Sequence, residues 1–201
     1  MDIQYRCNPS CIRDRMGNAQ PDAHVALARL ARSTLALRLA VPYLVVGGIA
    51  ASYYMPGRIT SDIDILIHEA DAARAMRELA AAGAGLHGAL TIGGTSWTLD
   101  DGIGLDLLTS RVPWITRAFA APRSWQGISL IDLPYLIVMK MATGRVRDEA
   151  DVAGLLAHAP VEVVAEVRRV VAAEAPERAE DVDTYLFIGQ AERAAWEADM
   201  G

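Results

Sequence analysis

The chain has 201 residues, 52% of them apolar and 22% charged, with a formal net charge of −6 and a pI near 5.2. Those values fit one domain of ordinary size with a packed core and exclude global disorder. They also exclude a protein that coats nucleic acid nonspecifically, which needs a broad basic face, but leave room for a small basic site.

Residues 1–19 are polar, carry Pro9 and Gly17, and show no sustained period, which predicts an arm. Cys7 and Cys11 stand there with three residues between them. A metal site would need two more ligands, with His24 the nearest, so free thiols are the reading. No secretory signal is visible, because Arg6, Arg13 and Arg15 bracket no apolar stretch. A cytoplasmic protein is expected.

Pro21-Asp22 opens a helical pattern with Val25, Leu27 and Leu30 among its apolar positions and Arg29 and Arg32 among its wetter ones. Leu39 to Gly57 is uncharged and about long enough to cross a bilayer. Pro42, the Gly47-Gly48 pair, Ser52 and Pro56 divide it. A buried strand over Tyr43–Val46, a turn, and a short helix from Ile49 to Tyr54 fit better. Asp62–Ile67 alternates with period two, placing Ile63, Ile65 and Ile67 on one face and Asp62, Asp64, Leu66 and His68 on the other. A helix over Glu69–Ala82 follows, closed by Gly83.

Leu86–Ile92 and Ser96–Leu99 read as strands, and Asp100-Asp101-Gly102 as a hairpin turn. Gly104–Leu108 returns, with Leu105 and Leu107 on one face and Asp106 on the other. A short helix over Trp114–Ala120 and a strand over Gly127–Leu130 come next. Beyond Asp132 the pattern is helical: Leu133–Ala142, Glu149–Ala157, Val161–Ala173 and Asp181–Asp199, with Pro160 and Pro176 as punctuation. The expected class is α+β, a mixed β-sheet with flanking helices followed by a helical C-terminal region. The division is an arm over 1–19, a domain over 20–130 and a helical region over 131–201.

Two carboxylates at i and i+2 of a strand point the same way, with Cβ atoms roughly 6–7 Å apart. Ionised, they repel unless a cation or proton offsets them. Asp62 and Asp64, at the mouth of a buried strand, are therefore a candidate divalent-metal seat, and all-oxygen ligands favour Mg²⁺ or Mn²⁺. Asp106 can join them from a neighbouring strand, and three carboxylates suit two metals. Gly47 and Gly48 let the backbone approach a phosphate, and the helix that follows aims free N–H groups at it. Alone, each feature has an ordinary explanation: a turn, a solvated strand edge, a hairpin-flanking Asp. Together, in this order and register, they are specific. Haloacid-dehalogenase-type phosphatases place the apolar strand before the D-x-D, whereas here it follows and Leu66 occupies their Thr position. Glycosyltransferases with a D-x-D metal site leave the Gly pair unexplained.

The run GGIAASYYMPGRITSDIDILI resembles the signature of the DNA polymerase β-like nucleotidyltransferase superfamily. Arg58-x-Thr60-x-Asp62-x-Asp64, with the later KMATGRVRDEADVAGLL, resembles bacterial AbiEii-type nucleotidyltransferases of toxin–antitoxin systems. The similarity covers roughly residues 40–158. It implies a nucleotidyltransferase-like fold and transfer of a nucleoside monophosphate from an NTP, ATP included, to an acceptor hydroxyl, releasing pyrophosphate. By the same resemblance Gly47 and Gly48 hold phosphates, and Asp62, Asp64 and Asp106 ligate Mg²⁺ or Mn²⁺. Lys140, the one lysine among 19 basic residues, faces the triphosphate. Arg58 contacts phosphate or braces the loop through Thr60.

The resemblance favours tRNA or another RNA as acceptor and an antitoxin protein as partner. An antibiotic, other small molecule or protein side chain is the alternative acceptor, and a silent nucleotide-binding or toxin–antitoxin interaction module the alternative function. From the residues themselves, Lys140 also reads as a helix residue reaching to solvent. Asp148 and Asp151 flank a helix start and read as caps as readily as functional groups; Arg145 and Arg147 pair with them or meet a nucleic acid. His68 lies further along the Asp62–Asp64 face and reads as structural. Trp97, Trp114, Trp125 and Trp196 lack the spacing of a stacking platform.

Overall fold

The computed structural model describes residues 21–200. The expected arm, with Cys7 and Cys11, lies outside them. Seven strands form one sheet: β1 (Leu44–Val45), β2 (Asp62–His68), β3 (Gly85–Ala89), β4 (Gly94–Thr98), β5 (Gly104–Ser110), β6 (Arg123–Trp125) and β7 (Ile128–Leu130). Their order is β3-β4-β5-β2-β1-β7-β6. The sheet is mixed, because β2–β5 and β1–β7 run parallel and the other neighbours antiparallel. The helices are α1 (Pro21–Ala36), α2 (Gly47–Tyr54), α3 (Ala72–Ala81), α4 (Trp114–Ala120), α5 (Leu133–Thr143), α6 (Val146–His158), α7 (Val161–Glu174) and α8 (Asp181–Met200).

Alternation along β2 and β5 sorts the core into two layers. Ile63, Ile65, Ile67, Leu105 and Leu107 are wholly buried and pack with Leu30 of α1 and Ala75 and Leu79 of α3. On the opposite face Leu66 and Leu108 join Leu44, Val46 and the C-terminal helices through Leu136, Val152 and Val167. Full burial of each such side chain contributes about 1.5–3 kcal/mol. The helices after residue 130 thus share one apolar cluster with the sheet. Asp62, Asp64 and Asp106 have the parity of Leu66 and Leu108, so the pleat turns all three toward this helical layer.

Several boundaries differ from expectation. α2 starts at Gly47 rather than Ile49, and α6 at Val146 rather than Glu149. The expected Leu86–Ile92 strand stops at Ala89, ahead of Gly93 and Gly94, both at positive φ. Strand β6 was not expected. It pairs with β7 across Gln126-Gly127, both residues at positive φ, and glutamine is an unusual choice for such a turn. Among the described residues no helix is long and apolar enough to cross a membrane.

α8 crosses α6 closely at Gly189, where a Cβ would overlap the Ala153 carbonyl. Arg193 also donates to the Ala157 carbonyl at 3.1 Å. Residues 190–199 of the same helix are exposed throughout.

Candidate active site

The parallel register sets Asp64 directly beside Asp106 and Asp62 beside Gly104. Asp62 and Asp64 alternate with buried isoleucines, so three carboxylates occupy one patch where β2 enters the sheet. Gly47 and Gly48 open α2 immediately beside it. Gly47 has φ +54, and a Cβ there would overlap the Asp64 carboxylate; a Cβ on Gly48 would overlap Thr60. The Gly48 amide donates to Asp64 Oδ2 at 3.2 Å. A helix N-terminus favours an anion, and here that anion is Asp64.

Burial, then the adjacent Asp62 charge, pushes the Asp64 carboxyl up to about 6; Asp106 adds to this, while the Gly48 amide and the Lys140 charge oppose it. Asp62 Oδ1 accepts from the Thr60 hydroxyl at 2.7 Å, and Thr60 is itself buried. Among the described residues no arginine or lysine forms an ion pair with any of the three carboxylates. A patch of oxygen ligands crowded by like charge and lacking a cationic partner fits Mg²⁺ or Mn²⁺ by chemistry. The three are not drawn around one point: among the described residues no group of three or more His, Cys, Asp or Glu encloses a metal position.

Lys140 is buried, 4% exposed, and does not reach solvent. Its Nζ donates to Asp148 Oδ1 and Asp151 Oδ2, both at 2.8 Å. Two of its three N–H groups are thereby committed. Arg58 donates through Nε to Asp151 Oδ1 at 2.8 Å and through Nη2 to Asp151 Oδ2 at 3.3 Å, and Nη1 reaches the Ile59 carbonyl. Burial would raise the Asp151 carboxyl, but hydrogen bonds from Arg58 and Lys140 outweigh it and hold the group below the usual carboxylate range.

The capping reading of Asp148 and Asp151 is corrected. No side chain caps α6, because the helix starts at Val146 and both residues fall inside it. Asp148 accepts instead from Lys140 and, at 2.7 Å, from the Thr143 hydroxyl. Arg145 and Arg147 are exposed, and the partners of Asp148 and Asp151 are Lys140, Thr143 and Arg58.

Sequence reasoning passed over two supporting groups. Ser52 Oγ lies 2.8 Å from the Gly48 carbonyl and 2.7 Å from the Arg58 carbonyl, tying α2 to the loop before β2. Thr143 orients Asp148. A serine in a short apolar helix four residues after the Gly pair was the available signal for the first. His68 packs against Phe119 at a tilt, with ring centroids 4.7 Å apart. It also lines a cavity of about 410 Å³ with Ser110 and Arg111. That cavity sits at the far end of β2, roughly 20 Å of strand from Asp62, and takes no part in the patch.

No protein-family model matches the chain, and no curated protein matches its sequence. Solved structures give distant similarities. A crystal structure of ANT(2")-Ia in complex with adenylyl-2"-tobramycin is 15% identical, over 86% of this chain and 96% of that one, with a TM-score of 0.40. JHP933 from Helicobacter pylori is 12% identical, over 90% and 97%, with a TM-score of 0.42. An antigenic nucleotidyltransferase-like protein from Paracoccidioides brasiliensis is 14% identical, over 81% and 93%, with a TM-score of 0.37. At this level of similarity the geometry of the patch bears the functional argument.

Proposed function

We propose that this chain is a metal-dependent nucleotidyltransferase that moves a nucleoside monophosphate from an NTP to an acceptor hydroxyl. One observation carries the reading: Asp64 and Asp106 lie side by side on parallel strands, Asp62 shares their face, and the Gly pair that opens α2 is packed against Asp64 and Thr60. That is a place for cations beside the N-terminus of α2, with the Asp64 carboxylate and the Thr60 side chain packed against the glycine backbone.

Asp62, Asp64 and Asp106 are the ligands for Mg²⁺ or Mn²⁺. Bound there, the ion supplies positive charge to the triphosphate oxygens. The chain does the rest by position and electrostatics. In the first turn of α2 the Gly48 N–H holds Asp64, and the Gly47 N–H beside it is the group offered to phosphate. Lys140 brings a buried positive charge with one N–H still uncommitted, and Arg58 and Thr60 hold the loop that delivers Asp62. The acceptor oxygen bonds to the α-phosphorus as the bond from that phosphorus to the bridging oxygen breaks. Pyrophosphate leaves with the bond's electrons. The acceptor proton passes to Asp106, whose carboxylate accepts no hydrogen bond among the described residues.

The acceptor and partner follow from the sequence resemblance. An RNA end, tRNA included, comes first, a hydroxyl of an antibiotic or other small molecule second, with an antitoxin as protein partner and the cytoplasm as the place of action. The test incubates the protein and Mg²⁺ with each NTP, ATP among them, radiolabelled on the α-phosphate, plus total RNA or a lysate. Label should enter one acceptor fraction and vanish with Asp62→Ala. Undiminished transfer by a folded Asp62→Ala protein would sink the assignment.

A further inference from the structure

We infer that Asp151 is a positioning residue for this reaction, holding Arg58 and Lys140 in one clamp so that the loop before β2 and the lysine of α5 address the same carboxylate patch. The inference rests on the nucleotidyltransferase reading above.

Asp151 is 6% exposed, and both of its oxygens are used. Oδ1 accepts from Arg58 Nε and Oδ2 from Lys140 Nζ, each at 2.8 Å, with Arg58 Nη2 at 3.3 Å from Oδ2. The two cations come from separate elements, 93 and 11 residues away in the chain. From Arg58 the connection runs on through covalent structure: its carbonyl accepts from Ser52 in α2, and Thr60, two residues later, donates to Asp62. On the other side the same carboxylate holds the Nζ of Lys140 in α5, which Asp148 also binds. One carboxylate therefore anchors both the loop that ends at Asp62 and the lysine of α5.

Geometry distinguishes this from a generic buried ion pair. A planar guanidinium presenting two N–H groups to one carboxylate fixes direction as well as distance. Lys140 would keep a partner without Asp151, because Asp148 holds it at 2.8 Å; Arg58 has no second carboxylate among the described residues. Loss of Asp151 thus frees the loop more than it frees the lysine. Besides its cost in stability, the loss reaches Asp62 and the triphosphate through that loop.

The full-length protein is compared with Asp151→Asn, Arg58→Lys and the double variant, after thermal melting has shown which are folded. The first readout, needing neither nucleotide nor metal, is amide hydrogen exchange over residues 56–64. It should be faster in both single variants. The second is the split between KM for the NTP and kcat, using the acceptor found by labelling. KM should rise roughly tenfold or more, as for other groups that orient a ligand-bearing residue, with a smaller change in kcat. The double variant should be no worse than Asp151→Asn, since both act through one contact.

Exchange at the wild-type rate in the folded variants, or an unchanged KM, overturns the clamp. So does exchange in the loop that Asp151→Asn speeds and Arg58→Lys does not. Arg58→Lys alone decides the matter if Asp151→Asn does not fold. Failure of the underlying function looks different: a folded Asp62→Ala protein retains transfer, or no NTP is turned over. The exchange result still decides the clamp in that case.

Discussion

Gly47 has no room for a side chain, because the Asp64 carboxylate fills the space a Cβ would take. The same residue sits at φ +54, a conformation that costs any residue with a Cβ. Two independent demands for glycine therefore meet at the one position where a helix N-terminus touches the carboxylate patch.

Gly47→Ala should consequently be costly twice over. Backbone strain alone is worth about 1–3 kcal/mol, and the overlap displaces Asp64 as well. A lowered melting temperature and loss of transfer in the remaining folded protein are expected. Calorimetry and a labelled-NTP assay on one preparation measure both.

The carboxylate patch should show opposite effects on stability and activity. Asp64→Asn relieves repulsion among three like charges while keeping an oxygen for the Gly48 amide. In chelator it should melt above wild type, by on the order of 1 kcal/mol or more. Mg²⁺ should raise the melting temperature of wild type but not of the variant. Transfer should fall roughly a hundredfold or more in Asp62→Asn, Asp64→Asn and Asp106→Asn. An Asp64→Asn protein that melts below wild type in chelator would contradict the electrostatic account.

Asp151 gives a pH signature. Its folded pKa is depressed by Arg58 and Lys140, so the stability it contributes is present above the unfolded value near ~3.9. That contribution is lost as pH falls through the lower folded value. Asp151→Asn should cost about 3 kcal/mol near neutral pH, the order expected when one partner of a buried pair is removed. The gap in melting temperature between the two proteins should hold steady from neutrality down to about pH 5 and close below about pH 4. Melting curves across that range test it.

Two glycines of the helical layer should behave differently. A Cβ on Gly189 would meet the Ala153 backbone, which cannot yield, so Gly189→Ala should cost about 1–3 kcal/mol and loosen α8 from α6. A Cβ on Gly154 would meet the Met55 thioether, and a flexible methionine can move aside. Gly154→Ala should be much milder. Equal losses in thermal melts would show that the two crossings are not distinguished by what the Cβ meets.

The face shared by Asp62, Asp64 and Asp106 was legible because strand periodicity is local: every second residue of Asp62–Ile67 and Gly104–Leu108 names its side of the sheet. That Asp106 stands next to Asp64 was not, since neighbour and register come from sheet order, where β5 passes beside β2 and β1 takes its other edge. Strand β6 escaped because Gln126-Gly127 lacks the Asn or Asp that normally marks a tight hairpin. Lys140 stood out as a solitary lysine, yet its partners were hidden. Asp148 and Asp151 looked like helix-start residues, and nothing in a sequence window joins Asp151 to Arg58, 93 positions away.

That separation bears on how the protein is made. Residues as far as Leu130 supply every strand of the sheet and all three patch carboxylates. The anchor for the loop that carries Thr60 and Asp62 arrives only with α6. A chain leaving the ribosome N-terminus first has its aspartates in hand before the residue that orients them exists. The loop that ends at Asp62 therefore gains its Asp151 anchor only after every strand of the sheet has been made.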